Sequence, residues 1–92
     1  MSYDVVHNAA VSQFESTVEG NLCVLDYRCE GEVVYLTHVG VPPPVQNRGI
    51  AGVLTRTALE WARAEGLKVV PVCPYVVAWL RRHPDYRGLL SV

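Results

Sequence analysis

The chain of 92 residues is poor in charge, and it has no basic run and no Cys-x-x-Cys pair. Asp, Glu, Lys and Arg make up only 18% of it against 50% hydrophobic residues, which excludes a chain kept unfolded by its own charge. Eight Lys and Arg against nine Asp and Glu leave a net charge of −1, so the electrostatic footprint of a nucleic-acid binder is missing. No stretch approaches the ~20 apolar residues of a membrane-spanning helix. The start, Met-Ser-Tyr-Asp, lacks the basic and apolar regions of a signal peptide. A cytoplasmic location is expected, with neither a nucleic acid nor a membrane as partner. Three cysteines are an odd number, which argues against a disulfide framework. Cys23 and Cys29 fall in one expected strand, roughly 20 Å apart at ~3.3 Å per residue, too far to bridge. No Cys-x-x-Cys occurs and the three His are scattered, so no metal site is expected. The length suits a single domain over residues 1–92. A chain this short buries only ~60–65% of its unfolded surface, so its chemistry has to come from one sheet and a few helices, or from a partner chain.

The first half reads as antiparallel strands over residues 3–7, 13–18, 22–29 and 33–41. Glu19-Gly20 and Glu30-Gly31 mark tight turns, the pattern of a meander. Alternation in the third strand puts Cys23, Leu25, Tyr27 and Cys29 on one face and Asp26, Arg28 and Glu30 on the other. Both Cys23 and Cys29 read as small apolar fillers of the sheet. The fourth strand is almost wholly apolar and is expected to lie centrally, covered on both faces. Pro42, Pro43 and Pro44 cannot continue a ladder and read as a stiff polyproline connector. A helix follows, with Ile50, Val53, Leu54, Ala58, Trp61, Ala62 and Glu65 on one stripe, Thr55, Arg56, Glu60 and Arg63 elsewhere, and Gly66 as its stop. Residues 68–73 form a short buried strand, parallel to the fourth by a right-handed crossover. A last helix begins near Pro74, ends at His83 before Pro84, and buries Val76, Val77 and Leu80. Residues from Tyr86 onward read as a tail. The fold class is α+β: an antiparallel meander, a parallel strand–helix–strand unit, and a short C-terminal helix.

The segment that carries chemistry runs from His38 to Gly52 and joins the fourth strand to the helix. Small residues at Gly49, Ala51 and Gly52 let another backbone or a ligand approach closely. The first N–H groups of a helix have no partner within it, and the helix dipole favours an anion there. A phosphate cradle is therefore expected. It is no Walker A loop, since Gly-Lys-Ser/Thr is absent, and no dinucleotide fingerprint, since the G-x-G-x-x-G order is absent.

Gln46-Asn47-Arg48-Gly49-Ile50-Ala51 matches Gln/Arg-x-x-Gly-x-Gly/Ala and resembles the pyrophosphate-binding motif of the GNAT acetyltransferase superfamily. With His38-x-x-Val41-Pro42 and Pro71-x-Cys73-x-Tyr75-Val76, nearly the whole chain resembles the small single-domain GNAT-like proteins of about 90–100 residues, minimal acetyltransferases without the N-terminal helices of larger relatives. The chain departs from the family pattern in having Gln46, Asn47 and Ala51 where cations and a second Gly are frequent. The resemblance implies acetyl-CoA as the acyl donor, an amine as acceptor and a GNAT-like mixed sheet.

Physical chemistry then distributes roles. Backbone N–H groups of Asn47, Arg48, Gly49, Ile50 and Ala51 would bind the pyrophosphate, with Gln46 and Gly52 as further cofactor-binding residues of the segment and Arg48 adding a charge-assisted contact or remaining an exposed loop cation. Pro71 lacks an N–H, which fits two parallel strands parting to admit the pantetheine arm. The acyl carbonyl would then lie near Val39 and Val41, where a backbone N–H polarises it. An amine with a pKa near ~10.4 is mostly protonated at neutral pH, so a base is needed. His38 is the candidate; because it alternates with Val34 and Leu36, an ordering core histidine is the other reading. Cys73, at a helix N-terminus, is read as an acyl-accepting nucleophile assisted by His38 or as a small lining residue of the thioester pocket. Tyr75 would protonate the leaving thiolate, as the resemblance implies, or pack the last helix. Three functions compete: an acyl-CoA-dependent N-acetyltransferase, a CoA-binding module with little catalysis, and a scaffold whose apolar faces serve oligomerisation. A monomer or weak homodimer is expected.

Overall fold

A computed structural model describes residues 3–91. Five strands form one sheet in the order β1 (Val6–Asn8), β2 (Gln13–Val18), β3 (Asn21–Glu30), β4 (Val33–Gly40) and β5 (Lys68–Pro71). The first three pairings are antiparallel and β4–β5 is parallel. Helix α1 (Ile50–Ala64) makes the crossover between β4 and β5, and α2 (Pro74–Arg82) follows β5. The expected mixed sheet and its two helices are therefore present. The β2–β3 turn places Glu19 at φ +50° and Gly20 at φ +78°, the left-handed pair a two-residue hairpin needs.

Both helices lie on one face of the sheet. Phe14, Cys23, Leu25, Tyr27, Val34, Leu36 and Val69 point into that face and are buried against Ile50, Leu54, Ala58, Leu59 and Ala62 of α1 and Val76, Trp79 and Leu80 of α2. The opposite face carries no element among the described residues. The fourth strand is thus central but covered on one side only: Val34 and Leu36 are buried while Val33, Tyr35 and Thr37 are half-exposed. An apolar run does not by itself reveal which face lacks a cover.

Other expectations shift for local reasons. Cys29 is exposed, one step beyond the buried layer of Cys23, Leu25 and Tyr27. The first strand begins at Val6 rather than residue 3 and runs into a 3₁₀ turn, Ala9–Val11. The three prolines do not form an extended connector: Pro43–Val45 is a 3₁₀ turn that drives Val45 into the core. The buried arc of α1 is wider than the single stripe, because the helix meets the sheet, α2 and the C-terminal segment together. Thr55 and Leu59 are buried on it, and the Thr55 hydroxyl donates to the Ala51 carbonyl at 2.8 Å. In α2, Trp79 is buried in the place expected of Val77.

The chain beyond His83 is not a tail. Pro84–Leu89 forms a 3₁₀ helix whose Tyr86 is only 2% exposed. The Tyr86 hydroxyl donates to Glu60 Oε2 (2.5 Å) and accepts from Arg56 Nη1 (3.1 Å). Leu90 then lies parallel beside Val69, and the Ser91 N–H donates to the Val69 carbonyl (2.9 Å). A single aromatic in a polar stretch carries little periodic signal, so this docking is invisible in the sequence.

Candidate functional site

The site begins where β4 and β5 part. Their last paired rung is Leu36 with Pro71. The Leu36 carbonyl then accepts from both Val72 N–H and Cys73 N–H, each at 3.0 Å, and α2 leads the chain away from Pro74. Strand β4 continues for residues 37–40, paired to β3 on one side and without a ladder partner on the other among the described residues. Pro71, which has no N–H to offer, stands at the end of the ladder as expected.

A second irregularity aims the side chains of that free stretch. Asp26 faces His38 and Tyr27 faces Leu36, so Thr37 is an extra residue in β4, a bulge. The bulge reverses the alternation. Val39 comes opposite buried Leu25, and His38 turns to the outer, uncovered face opposite Asp26. The reading of His38 as a core histidine, in phase with Val34 and Leu36, is therefore corrected: it is exposed. Its ring leans along the strand toward Gly40, with Nε2 3.1 Å from where a Cβ on Gly40 would stand.

Downstream of the free stretch lies a cleft of about 320 Å³ lined by Val41, Val45, Gln46, Asn47, Gly49, Ile50, Ala51 and Tyr75. Its backbone wall is built from left-handed residues: Asn47 at φ +65° and Gly49 at φ +80°, the latter capping α1. Alternating hands turn successive N–H groups toward one side, the geometry of an anion nest. The N–H groups of residues 47–52 make no backbone hydrogen bond among the described residues, and α1 adds the positive end of its dipole. The Gln46 side chain braces the wall, its Nε2 donating to the Val41 carbonyl at 2.9 Å.

Arg48 does not line the cleft. Its Nη1 pairs with Glu19 Oε2 at 2.5 Å, in the β2–β3 turn, and Nη2 donates to the Pro44 carbonyl at 3.4 Å. The Arg48 guanidinium holds the Glu19 carboxyl below its ordinary range, and Glu19 in turn raises Arg48. Gly52 sits in the first turn of α1, facing Tyr75 and Trp79: a Cβ there would lie 3.5 Å from the Tyr75 hydroxyl and 3.4 Å from Trp79 Nε1. Burial pushes the Tyr75 phenol above its usual value, with Cys73 adding to the rise and Arg82 opposing it. Cys73 is 7% exposed at the N-cap of α2 and stands outside the cleft lining.

The cleft thus gathers Val41, Gln46, Asn47, Gly49, Ile50, Ala51 and Tyr75, while Val39, Arg48, Gly52 and Cys73 do not line it and His38 lies on the outer face of the sheet. Sequence reasoning missed Val45, Glu19 and the bulge. Val45 had a signal, as the lone apolar residue after three prolines; Glu19 and the bulge had none. Among the described residues no group of three or more His, Cys, Asp or Glu is placed to hold a metal, and no helix is long and apolar enough to cross a membrane.

Comparison with known proteins gives concordant results. The family described as GCN5-related N-acetyl-transferase matches residues 13–89. Protein NATD1 of Mus musculus is 32% identical over 83 residues, covering 87% of this chain and 76% of that protein. Protein NATD1 of Homo sapiens is also 32% identical over 83 residues, covering 87% and 74%. The solution structure of a GCN5-like protein from Staphylococcus aureus superposes with a TM-score of 0.77 at 20% identity, over 99% of this chain and 91% of that one.

Proposed function

Since the chain belongs to the GCN5-related N-acetyltransferase family, whose members use acetyl-CoA, we propose that it transfers an acetyl group from acetyl-CoA to an amine, acting as one domain. The observation that carries this reading is the continuity of two features: the free edge of β4 over residues 37–40 leads directly into the cleft at the N-terminus of α1. The pyrophosphate binds the N–H groups of residues 47–52, where charge-assisted hydrogen bonds and the helix dipole act together. The pantetheine arm takes the place of the missing ladder partner along β4. That directs the thioester to the parting of the strands, where a β4 N–H polarises its carbonyl.

Tyr75 is the acid in this scheme. Its raised phenol stays protonated at neutral pH and lines the cleft, so it can protonate the departing thiolate. His38 is the base, reaching the amine from the outer face. Cys73, at the N-cap of α2 where the strands part, is a small soft residue and not a nucleophile, and transfer is direct. Arg48 contributes to donor binding only when it exchanges Glu19 for phosphate. A covalent route through Cys73 differs in one observable: mass spectrometry after mixing with acetyl-CoA would show an acetyl adduct on Cys73.

The test is binding and turnover with purified protein. Acetyl-CoA should bind saturably in calorimetry, and a primary amine should then release free CoA thiol. Absence of acetyl-CoA binding at high micromolar concentration contradicts the proposal. A second reading, a CoA-binding module with little catalysis, is favoured by one observation: His38 is exposed on the outer face and lines neither the cleft at the start of α1 nor the cavity beside α2. Binding without turnover over a broad amine panel would establish it.

A further inference from the structure

The outer face of the sheet carries a row of side chains that the donor cradle does not use. Gln13, Asp26 and His38 stand side by side across three strands: Gln13 faces Asp26 in the β2–β3 ladder, and Asp26 faces His38 in the β3–β4 ladder. Directly opposed residues have Cβ atoms about 4.5–5.5 Å apart. Gln13 Nε2 donates to Asp26 Oδ1 at 2.7 Å, which fixes the carboxylate in the row. Thr37 Oγ1 donates to the Asp26 carbonyl at 3.2 Å, tying the bulge to the same residue. The ion pairs among the described residues are Arg28–Glu30, Arg48–Glu19 and Arg63–Glu60, and none of them uses Asp26. A half-exposed carboxylate with no ion-pair partner, Arg28 two residues along being engaged with Glu30, and next to an imidazole at the parting of two strands, suits a positively charged group.

We propose that Asp26 and His38 form the acceptor subsite, that it takes a primary alkylammonium group, and that Gln13 is a positioning residue for Asp26. This rests on the transferase reading above. The ammonium binds Asp26 as a charge-assisted hydrogen bond, and one of its protons passes to the His38 imidazole and on to water. The freed nitrogen lone pair attacks the thioester carbon: a C–N bond forms, the C–S bond breaks, and the electron pair leaves on the CoA sulfur. That sulfur takes a proton from the Tyr75 hydroxyl, and the second proton lost by nitrogen restores the phenol. The products are an N-alkylacetamide, CoA thiol and one proton released to solvent. Donor and acceptor meet from opposite faces of the sheet, because β4 has a free edge there. The Thr37 bulge is what makes this possible, since without it His38 would point into the core.

The test compares wild type, Asp26→Asn and Gln13→Ala. Acetyl-CoA affinity is measured first by calorimetry and should be equal in all three; if wild type binds no acetyl-CoA, the donor reading fails rather than this one. Three acceptor probes are then used: cadaverine, Nα-acetyl-lysine methylamide, and aniline, which is uncharged at neutral pH. Asp26→Asn should raise KM for the two ammonium probes about tenfold, the scale of one charge-assisted contact, with kcat near wild type and aniline unaffected. Gln13→Ala should move KM the same way by about threefold, as for a weakened neutral hydrogen bond. A lower KM for the lysine derivative than for cadaverine assigns the group to a lysine side chain, and the reverse assigns it to a free amine. An unchanged KM in Asp26→Asn, or an equal loss with aniline, overturns the proposal. If no probe is acetylated, cadaverine titrated into the CoA-loaded protein should still shift the NMR signals of Asp26, Thr37 and His38; silence at those positions overturns it as well.

Discussion

Replacing Gly49 by alanine separates the shape of the cradle from its contacts. Gly49 caps α1 at φ +80°, and a Cβ built on it meets nothing within 4 Å. The cost of Gly49→Ala is therefore conformational rather than steric against neighbours. An L-residue in the left-handed region costs roughly 1–2 kcal/mol, and alanine's smaller freedom in the unfolded chain offsets about 0.4–1 kcal/mol of that. The net loss is about 1 kcal/mol, which lowers Tm by roughly 4–8 °C in a domain of this size. Donor binding should suffer more. Where the residue relieves its strain by leaving the left-handed region, the N–H groups on either side turn out of the cleft. Losing one charge-assisted hydrogen bond, about 1.5–3 kcal/mol, weakens acetyl-CoA binding at least about tenfold. Gly66→Ala is the control: Gly66 has φ +70° and equally empty surroundings, but it lies past the far end of α1. It should lose similar stability and no affinity. Guanidinium denaturation and calorimetry measure both quantities. If Gly49→Ala binds acetyl-CoA as wild type does while Gly66→Ala loses stability normally, the N–H cradle is refuted.

Three further outcomes follow from the same geometry. Tyr75→Phe should lower kcat by about 100-fold, the usual worth of a positioned acid, with acetyl-CoA affinity unchanged; stopped-flow thiol release checks it. Tyr86→Ala should cost about 3–5 kcal/mol in denaturant unfolding, as for other buried aromatics, because it removes the anchor that holds residues 84–91 against α1; a change below 1 kcal/mol would mean that this segment is loosely held. Glu19→Gln should release Arg48 toward the cleft and tighten acetyl-CoA binding a few-fold at low salt, the gain fading as salt screens it. The lowered Glu19 pKa fixes the sign of the pH effect. Whatever stability the ion pair contributes is present above the ordinary carboxylate value and is lost as pH falls through the lowered one. Wild-type and Glu19→Gln unfolding curves should therefore converge as the pH falls below the ordinary carboxylate range.

Much of the architecture was legible because it is written in periodicity. The meander, the α1 crossover, β5 and α2 follow from alternation, a 3.6-residue stripe and Gly or Pro punctuation, and they are present in that order, although β1 starts at Val6 rather than residue 3 and β5 ends at Pro71 rather than residue 73. The cleft was legible because backbone geometry makes it: Gly49, Ala51 and Gly52 at a helix start imply exposed N–H groups whatever packs behind them. What escaped depends on contacts between distant parts of the chain. Thr37 is a bulge only because β3 and β4 slip by one residue, and nothing in a run of apolar residues marks the slip. That single event moved His38 from the core side to the open side. Glu19 meets Arg48 only through the three-dimensional closeness of the β2–β3 turn to the cradle, 29 positions away in sequence. Tyr86 likewise finds its partners, Glu60 and Arg56, on another helix. The uncovered outer face was hidden for the same reason, since strand burial is a property of the neighbours.

The central claim is that the left-handed turn and first turn of α1 form the donor site. It is tested most directly by following backbone amide signals in NMR while coenzyme A is titrated into the protein. The expected result is a saturable set of shifts at residues 47–52, Val41 and Tyr75, with further shifts along residues 37–40 as the pantetheine arm takes the free edge of β4. Saturable shifts centred instead on the second cavity, lined by Pro71, Val77, Leu80, Arg81, Arg87 and Leu90, or no shifts at millimolar coenzyme A, would contradict it.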